Sequence, residues 1–160
     1  MKRREWLVRA AGAAAAAVAG AAQAAQTIAW PALRLIDGST LAPEAWQGRA
    51  GIVVFWATWC GYCERHGARI EQLHRSLQGR GPRILGACID GDDASVGRLA
   101  RARGWSFPVA VDSVGLRARF TARRVVPMTC LVDASGTLKL SIPGEMAEDD
   151  VMGLPRSLAA

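Results

Sequence analysis

Three features of the 160-residue chain predict an α/β fold built on a sheet of mixed strand direction. Apolar runs of strand length at 51–57, 83–89, 107–111 and 128–133 alternate with segments whose apolar residues recur at helical spacing. A turn signal late in the chain, Asp133-Ala134-Ser135-Gly136, joins two strand-like runs directly and adds an antiparallel hairpin. Between the first long apolar run and the helical segment after it stands a dithiol, Cys60-Gly61-Tyr62-Cys63.

Residues 1–24 read as a targeting segment outside the fold. Lys2, Arg3 and Arg4 precede an Ala/Gly-rich tract, and Ala22-Gln23-Ala24 offers small residues for cleavage after Ala24. The tract is too short and too rich in alanine for a membrane span, which needs about 20 strongly apolar residues. Arg3-Arg4-Glu5-Trp6-Leu7 resembles a twin-arginine export signal. The expected destination is the periplasm, by a cleaved signal or, failing cleavage, an N-terminal anchor. Residues 25–160 then form a single domain of 136 residues, enough for a proper core. Removing Lys2, Arg3, Arg4, Arg9 and Glu5 lowers the formal charge from +6 to +3. The arginines at 98, 101, 103, 117, 119, 123 and 124 are scattered, mostly at helical spacings, and read as solvated faces. No nucleic-acid partner is expected.

Along the domain, Ala32–Ile36 and the turn Asp37-Gly38-Ser39 predict an N-terminal hairpin, and 41–46 a brief helical or irregular piece. Gly51–Ala57 is a strand buried on both faces. Ile70, Leu73 and Leu77 mark a helix from about Cys63 that ends at Gln78-Gly79. Arg83–Ile89 is a second buried strand, Ala94–Arg103 a helix with arginines outward, and Phe107–Val111 a strand. A helix from Ser113 or Val114 to Phe120, strands at 128–133 and 137–142, and a helix over Glu148–Leu158 complete the series.

A lone Cys-x-x-Cys suits half a zinc site or a redox pair. The strand before it, the helix after it and the lack of a second ligand pair at zinc spacing favour redox chemistry, with no metal or other cofactor. Cys60 falls at the helix start, where free backbone N–H groups and the dipole favour a thiolate. It is the expected nucleophile, and Cys63 the resolving thiol. Cys88 and Cys130 fall in buried strands on either side of the strand that leads to the dithiol. Two strand spacings of about 4.8 Å each would part them, too far for a bridge. Both read as small core residues, and Trp30 and Trp46 as packing residues.

The chain resembles the exported thioredoxin-like thiol–disulfide oxidoreductases of the TlpA type, which include reductases of cytochrome c maturation. The resemblance rests on Phe55-Trp56-Ala57-Thr58-Trp59-Cys60-Gly61-Tyr62-Cys63, Ser106-Phe107-Pro108-Val109, Val125-Val126-Pro127-Met128-Thr129, the 133–136 turn and Gly144. It implies a thioredoxin fold, helices flanking a mixed central sheet, with a central βα insertion at about 94–111. It also implies a cis Pro127 beside the dithiol, protein disulfides or dithiols as substrates, and a membrane thiol-electron donor. Pro108 receives no catalytic role.

Several positions depart from relatives. The buried acid and lysine of cytosolic thioredoxins align with Val54 and Gly86, so proton handling falls to His66, Glu64 or water. Many relatives carry glutamate where His66 stands; the imidazole is either a modulator of Cys63 or a core histidine with a backbone partner. Gly61-Tyr62 resembles the dipeptide of periplasmic disulfide isomerases and points to a less reducing potential. Trp59, Tyr62 and Met128 are expected to shape the docking surface, and Arg123 and Arg124 either raise the local potential or are simply solvated. A reductase is the leading reading, with an isomerase or oxidant as an alternative. A copper-binding chaperone would use Cys60, Cys63 and a histidine. A peroxidase is disfavoured because Thr58 lies two residues, not three, before Cys60.

Overall fold

The computed structural model describes residues 25–112 and 114–159. The targeting segment lies outside them. The chain opens with a hairpin, β1 (Leu33–Arg34) and β2 (Thr40–Leu41), paired Leu33 to Leu41 across the predicted turn. A 3-10 turn at Pro43–Trp46 leads to β3 (Gly51–Trp56), α1 (Gly61–Leu77) and β4 (Arg83–Cys88). Then come α2 (Asp93–Ala102), β5 (Val109–Val111), β6 (Met128–Val132), β7 (Leu138–Pro143) and α3 (Glu148–Leu158). The main sheet has the order β5-β4-β3-β6-β7. β3, β4 and β5 run parallel, while β6 and β7 are antiparallel to their neighbours. This is the mixed sheet expected of the thioredoxin fold, with α2 and β5 as the inserted unit.

Every residue of β3 is buried, because the strand is central and both its faces are covered. Ile52, Val54 and Trp56 join Ile70 and Leu73 of α1, Val96 and Ala100 of α2, and Val151 and Leu154 of α3. Val53 and Phe55 point the other way, into a second core with Leu33, Trp46, Leu116 and Phe120. Each such side chain contributes about 1.5–3 kcal/mol on burial. Two packed faces therefore hold rigid the strand whose end carries the dithiol.

The helix expected from 113 or 114 to Phe120 is a single 3-10 turn, Arg117–Arg119. Gly115, at φ 68°, takes the left-handed conformation, and the Asp112 carboxylate occupies the N–H groups of Leu116 and Arg117. The apolar spacing that suggested a helix instead delivers Leu116 and Phe120 to the second core. The end of α1 follows expectation: Gln78 adopts φ 50° and closes the helix before Gly79. α2 starts with a reciprocal cap. The Asp92 carboxylate accepts from the Ser95 N–H at 2.7 Å, and the Asp92 N–H donates to the Ser95 hydroxyl at 3.1 Å.

Candidate active site

The dithiol sits where β3 hands the chain to α1. The turn between them is fixed from the segment after β4, where the Asp90 carboxylate accepts the Thr58 N–H at 2.8 Å and the Thr58 hydroxyl at 2.5 Å. Burial pushes the Asp90 pKa up, but the hydrogen bonds from Thr58 and Cys88 outweigh it and hold the group below its usual value. Asp90 follows directly on the strand predicted over 83–89. Its position at the same end of the sheet as Cys60 was the available signal.

Cys60 is the N-cap of α1, and its Sγ accepts the Cys63 N–H at 3.2 Å. The sulfur thus shares the Cys63 N–H of the first helical turn with the Cys60 carbonyl oxygen, which accepts it at 3.1 Å. Cys60 and Cys63 are joined in a disulfide, with Cα atoms 5.2 Å apart. Cys60 is 5 % exposed and Cys63 1 %, so the sulfur expected to act as nucleophile is the more accessible of the two. Val126–Pro127 is a cis peptide, and the Val126 carbonyl oxygen lies 3.9 Å from the Cys60 sulfur. The Pro127 loop therefore borders the dithiol as expected. Trp59 and Tyr62 are 73 % and 63 % exposed, and Val125, two residues before Pro127, is exposed as well. Met128 is not on this surface. As the first residue of β6 it points into the second core and is fully buried.

His66 is fully buried on the inner face of α1. Met146 N–H donates to its Nδ1 at 3.4 Å, so Nε2 carries the proton and donates to the Thr129 hydroxyl oxygen at 2.9 Å. Burial, aided by the charge of Arg69 and opposed by Glu145, lowers its pKa to about 4. This is the core histidine with a backbone partner, and neither ring nitrogen bonds a cysteine sulfur. Above it, Glu145 binds Arg65 and Arg69 at 2.8 and 2.6 Å and latches the β7–α3 loop to α1. No residue pattern in the sequence marked Glu145.

The buried acid and lysine of cytosolic thioredoxins are replaced by apolar packing. Val54 and Gly86 are register partners on β3 and β4, and Phe107 fills the space a Gly86 side chain would take, 2.8 Å from its Cβ position. Cys88 and Cys130 are free and buried in opposite cores. Burial pushes their thiols up to about 12 and about 11, so neither forms a thiolate at neutral pH. Trp30 stacks on Trp46 with centroids 3.7 Å apart, as packing residues do. Arg123 and Arg124 are exposed. Arg103, expected on a solvated face, is not: its side chain is 10 % exposed and packs on Trp56 and Trp105.

A dithiol capping a helix, beside a cis-proline loop at the end of a central parallel strand, is the arrangement that comparison with known proteins bears on. The chain belongs to the AhpC/TSA family. The match covers residues 21–141. Thiol-disulfide oxidoreductase ResA of Geobacillus thermodenitrificans is 28% identical over 106 residues, 66% of this chain and 61% of that protein. The chain therefore spans about three-fifths of that relative's length. Among solved structures, a thiol:disulfide interchange protein of the thioredoxin family from Chlorobium tepidum superposes with a TM-score of 0.77. It is 21% identical and covers 85% of this chain and 97% of its own. A secreted disulfide oxidoreductase of Mycobacterium tuberculosis gives 0.70 at 18% identity, covering 80% and 96%. These likenesses establish the thioredoxin fold. Among the described residues, no helix is long and apolar enough to cross a membrane.

Proposed function

We propose that this AhpC/TSA-family protein is a periplasmic thiol–disulfide oxidoreductase that reduces disulfides in protein substrates. The observation that carries the reading is the Cys60 sulfur at the N-cap of α1, accepting the Cys63 N–H at 3.2 Å with Cys63 as its disulfide partner. In the reduced protein the same N–H and the helix dipole favour a Cys60 thiolate. That thiolate attacks one sulfur of a substrate disulfide, forming a mixed disulfide and releasing the other sulfur as a thiolate that takes up a proton. Cys63 then loses its proton and attacks the Cys60 sulfur. The second substrate thiol leaves, and two electrons have passed from the dithiol to the substrate. A membrane thiol donor would return the pair to the reduced state. Export through the N-terminal segment is supported by its sequence and by the secreted Mycobacterium tuberculosis neighbour.

Against the copper-chaperone alternative, both nitrogens of His66, the histidine nearest the dithiol in the chain, are hydrogen-bonded to Thr129 and Met146. The isomerase or oxidant alternative rests on Gly61-Tyr62, and the redox potential separates it from the reductase. The decisive experiment incubates reduced protein with a disulfide-bonded protein such as insulin. The expected result is stoichiometric reduction by the wild type, a trapped mixed disulfide through Cys60 in Cys63→Ala, and no reaction in Cys60→Ala. Reduction that survives Cys60→Ala would overturn the reading.

A further inference from the structure

We propose that Arg103 is a positioning residue of the dithiol, a buried cation that stabilises its thiolate state, with Glu64 as the opposing charge. The inference deepens the oxidoreductase reading and rests on it. Arg103 is the C-cap of α2, in the inserted unit, yet its side chain folds back under the start of α1. Its guanidinium carbon lies 5.6 Å from the Trp56 ring and 5.1 Å from the Trp105 ring, and those two rings meet edge to face at 4.9 Å. Nη2 is 3.4 Å from the Glu64 carboxylate, while Nη1 is buried with no hydrogen-bond partner. Trp56 ends β3 four residues before Cys60, and Glu64 follows Cys63 directly. The charge is thus held between the two segments that carry the dithiol, and Trp56, Trp105, Cys60 and Cys63 share one packed cluster.

A structural role alone is a poor account of this arrangement. Removing a guanidinium from water and leaving one of its N–H groups unpaired is costly, and an ion pair to a carboxylate that is 61% exposed returns little. An apolar side chain of similar length would pack between the indoles without that cost. What an apolar residue cannot supply is a positive field at the end of the sheet where the sulfurs lie. That field reaches at least one sulfur, since the charge of Arg103 acts to lower the Cys88 pKa against the stronger effect of burial. The other charged or titratable groups around the pair are Glu64 and His66 on α1, Asp90 after β4, and exposed Arg123 and Arg124 before the Pro127 loop. His66 is neutral at pH 7 and Asp90 is engaged by Thr58, so Arg103 is the cation held in the cluster and Glu64 its counter-charge.

The test titrates Cys60 by thiolate absorbance in reduced wild type, Arg103→Met, Arg103→Lys and Glu64→Gln, and measures each redox potential against glutathione. Arg103→Met is expected to raise the Cys60 pKa by about half a unit, which lowers the thiolate-to-thiol ratio at a given pH about threefold. Because the reduced state loses stabilisation, its potential becomes more negative. Arg103→Lys restores most of both values, and Glu64→Gln, at an exposed site, shifts the pKa downward. Opposite signs from the two charges are the signature that packing cannot produce. If Arg103→Met and Glu64→Gln lower the melting temperature but leave the pKa and potential at wild-type values, the role assigned to Arg103 is wrong. A wild-type Cys60 that titrates like free cysteine would overturn the oxidoreductase reading together with this one.

Discussion

At neutral pH the His66 imidazole is uncharged, with its proton on Nε2 facing Thr129 and its Nδ1 lone pair facing the Met146 N–H. Protonating Nδ1 would break the second bond and bury a cation near Arg69. Burial is the main reason its pKa falls from 6.5 to about 4. The sign of the linkage follows. As pH falls below 6.5 the unfolded chain takes up a proton that the folded chain refuses, so stability is full above 6.5 and declines towards pH 4. The loss attributable to this residue amounts to about 3 kcal/mol at most. Urea unfolding of wild type across that window is expected to show the decline, and His66→Gln, which keeps a donor for Thr129, is expected to flatten it. Equal slopes in the two proteins would show that other groups carry the acid sensitivity. In the sequence His66 shares helical spacing with Ile70 and Leu73, which made a core histidine one of the two readings left open. Its partners come from β6 and from the loop after β7, separated from it by 63 and 80 residues, and no local pattern names such partners.

Two helices illustrate how packing overrides propensity. In α1, a Cβ on Gly67 would collide with Trp105 Cζ2, and two more indole atoms lie within 2.7 Å. In α3, a Cβ on Gly153 would meet only the far end of the flexible Arg156 side chain, at 3.3 Å. Alanine is favoured over glycine inside a helix by about 1 kcal/mol. Gly153→Ala should therefore raise stability by about 0.5–1 kcal/mol. Gly67→Ala should lower it by about 1–3 kcal/mol, because the indole must move and the cluster is close-packed. Thermal unfolding of both variants checks the pair, and a stabilised Gly67→Ala would contradict the geometry. The main strands were legible as short apolar runs, and α1, α2 and α3 by apolar residues at helical spacing. The segment after β5 was not, because Leu116 and Phe120 have helical spacing while Gly115 and Asp112 dictate a turn. Arg103 was misplaced for the same reason: spacing put it with Arg98 and Arg101 on an outer face, but the two tryptophans it rests on come from β3 and from the loop after α2.

At the scale of the whole molecule, the sheet order places every chemically informative residue at one end. β3 delivers Cys60, the turn after β4 delivers Asp90, and the start of β6 brings Pro127, because the parallel β3–β4 pair and the antiparallel β6 bring those three termini together. That convergence followed from the family resemblance and the strand order, whereas the identity of the exposed surface did not. Met128 turned inward, leaving Trp59 and Tyr62 as the large exposed rings beside the sulfurs. Tyr62 is held by the Arg65 guanidinium, 4.8 Å above its ring, whereas Trp59 is free to meet a partner. An exposed tryptophan next to a nearly buried sulfur suits a substrate that must bring its disulfide into contact with Cys60. Truncating one aromatic anchor of an interface commonly costs 1–2 kcal/mol, and each 1.4 kcal/mol is about tenfold in affinity. Trp59→Ala should therefore raise KM for a protein disulfide about tenfold, with the melting temperature unchanged. Its rate with a small disulfide such as oxidised glutathione, which reaches the sulfur without needing the indole, should stay at the wild-type value. Equal losses on the two substrates would place Trp59 in the reactivity of the dithiol, and no loss on either would move the docking surface elsewhere.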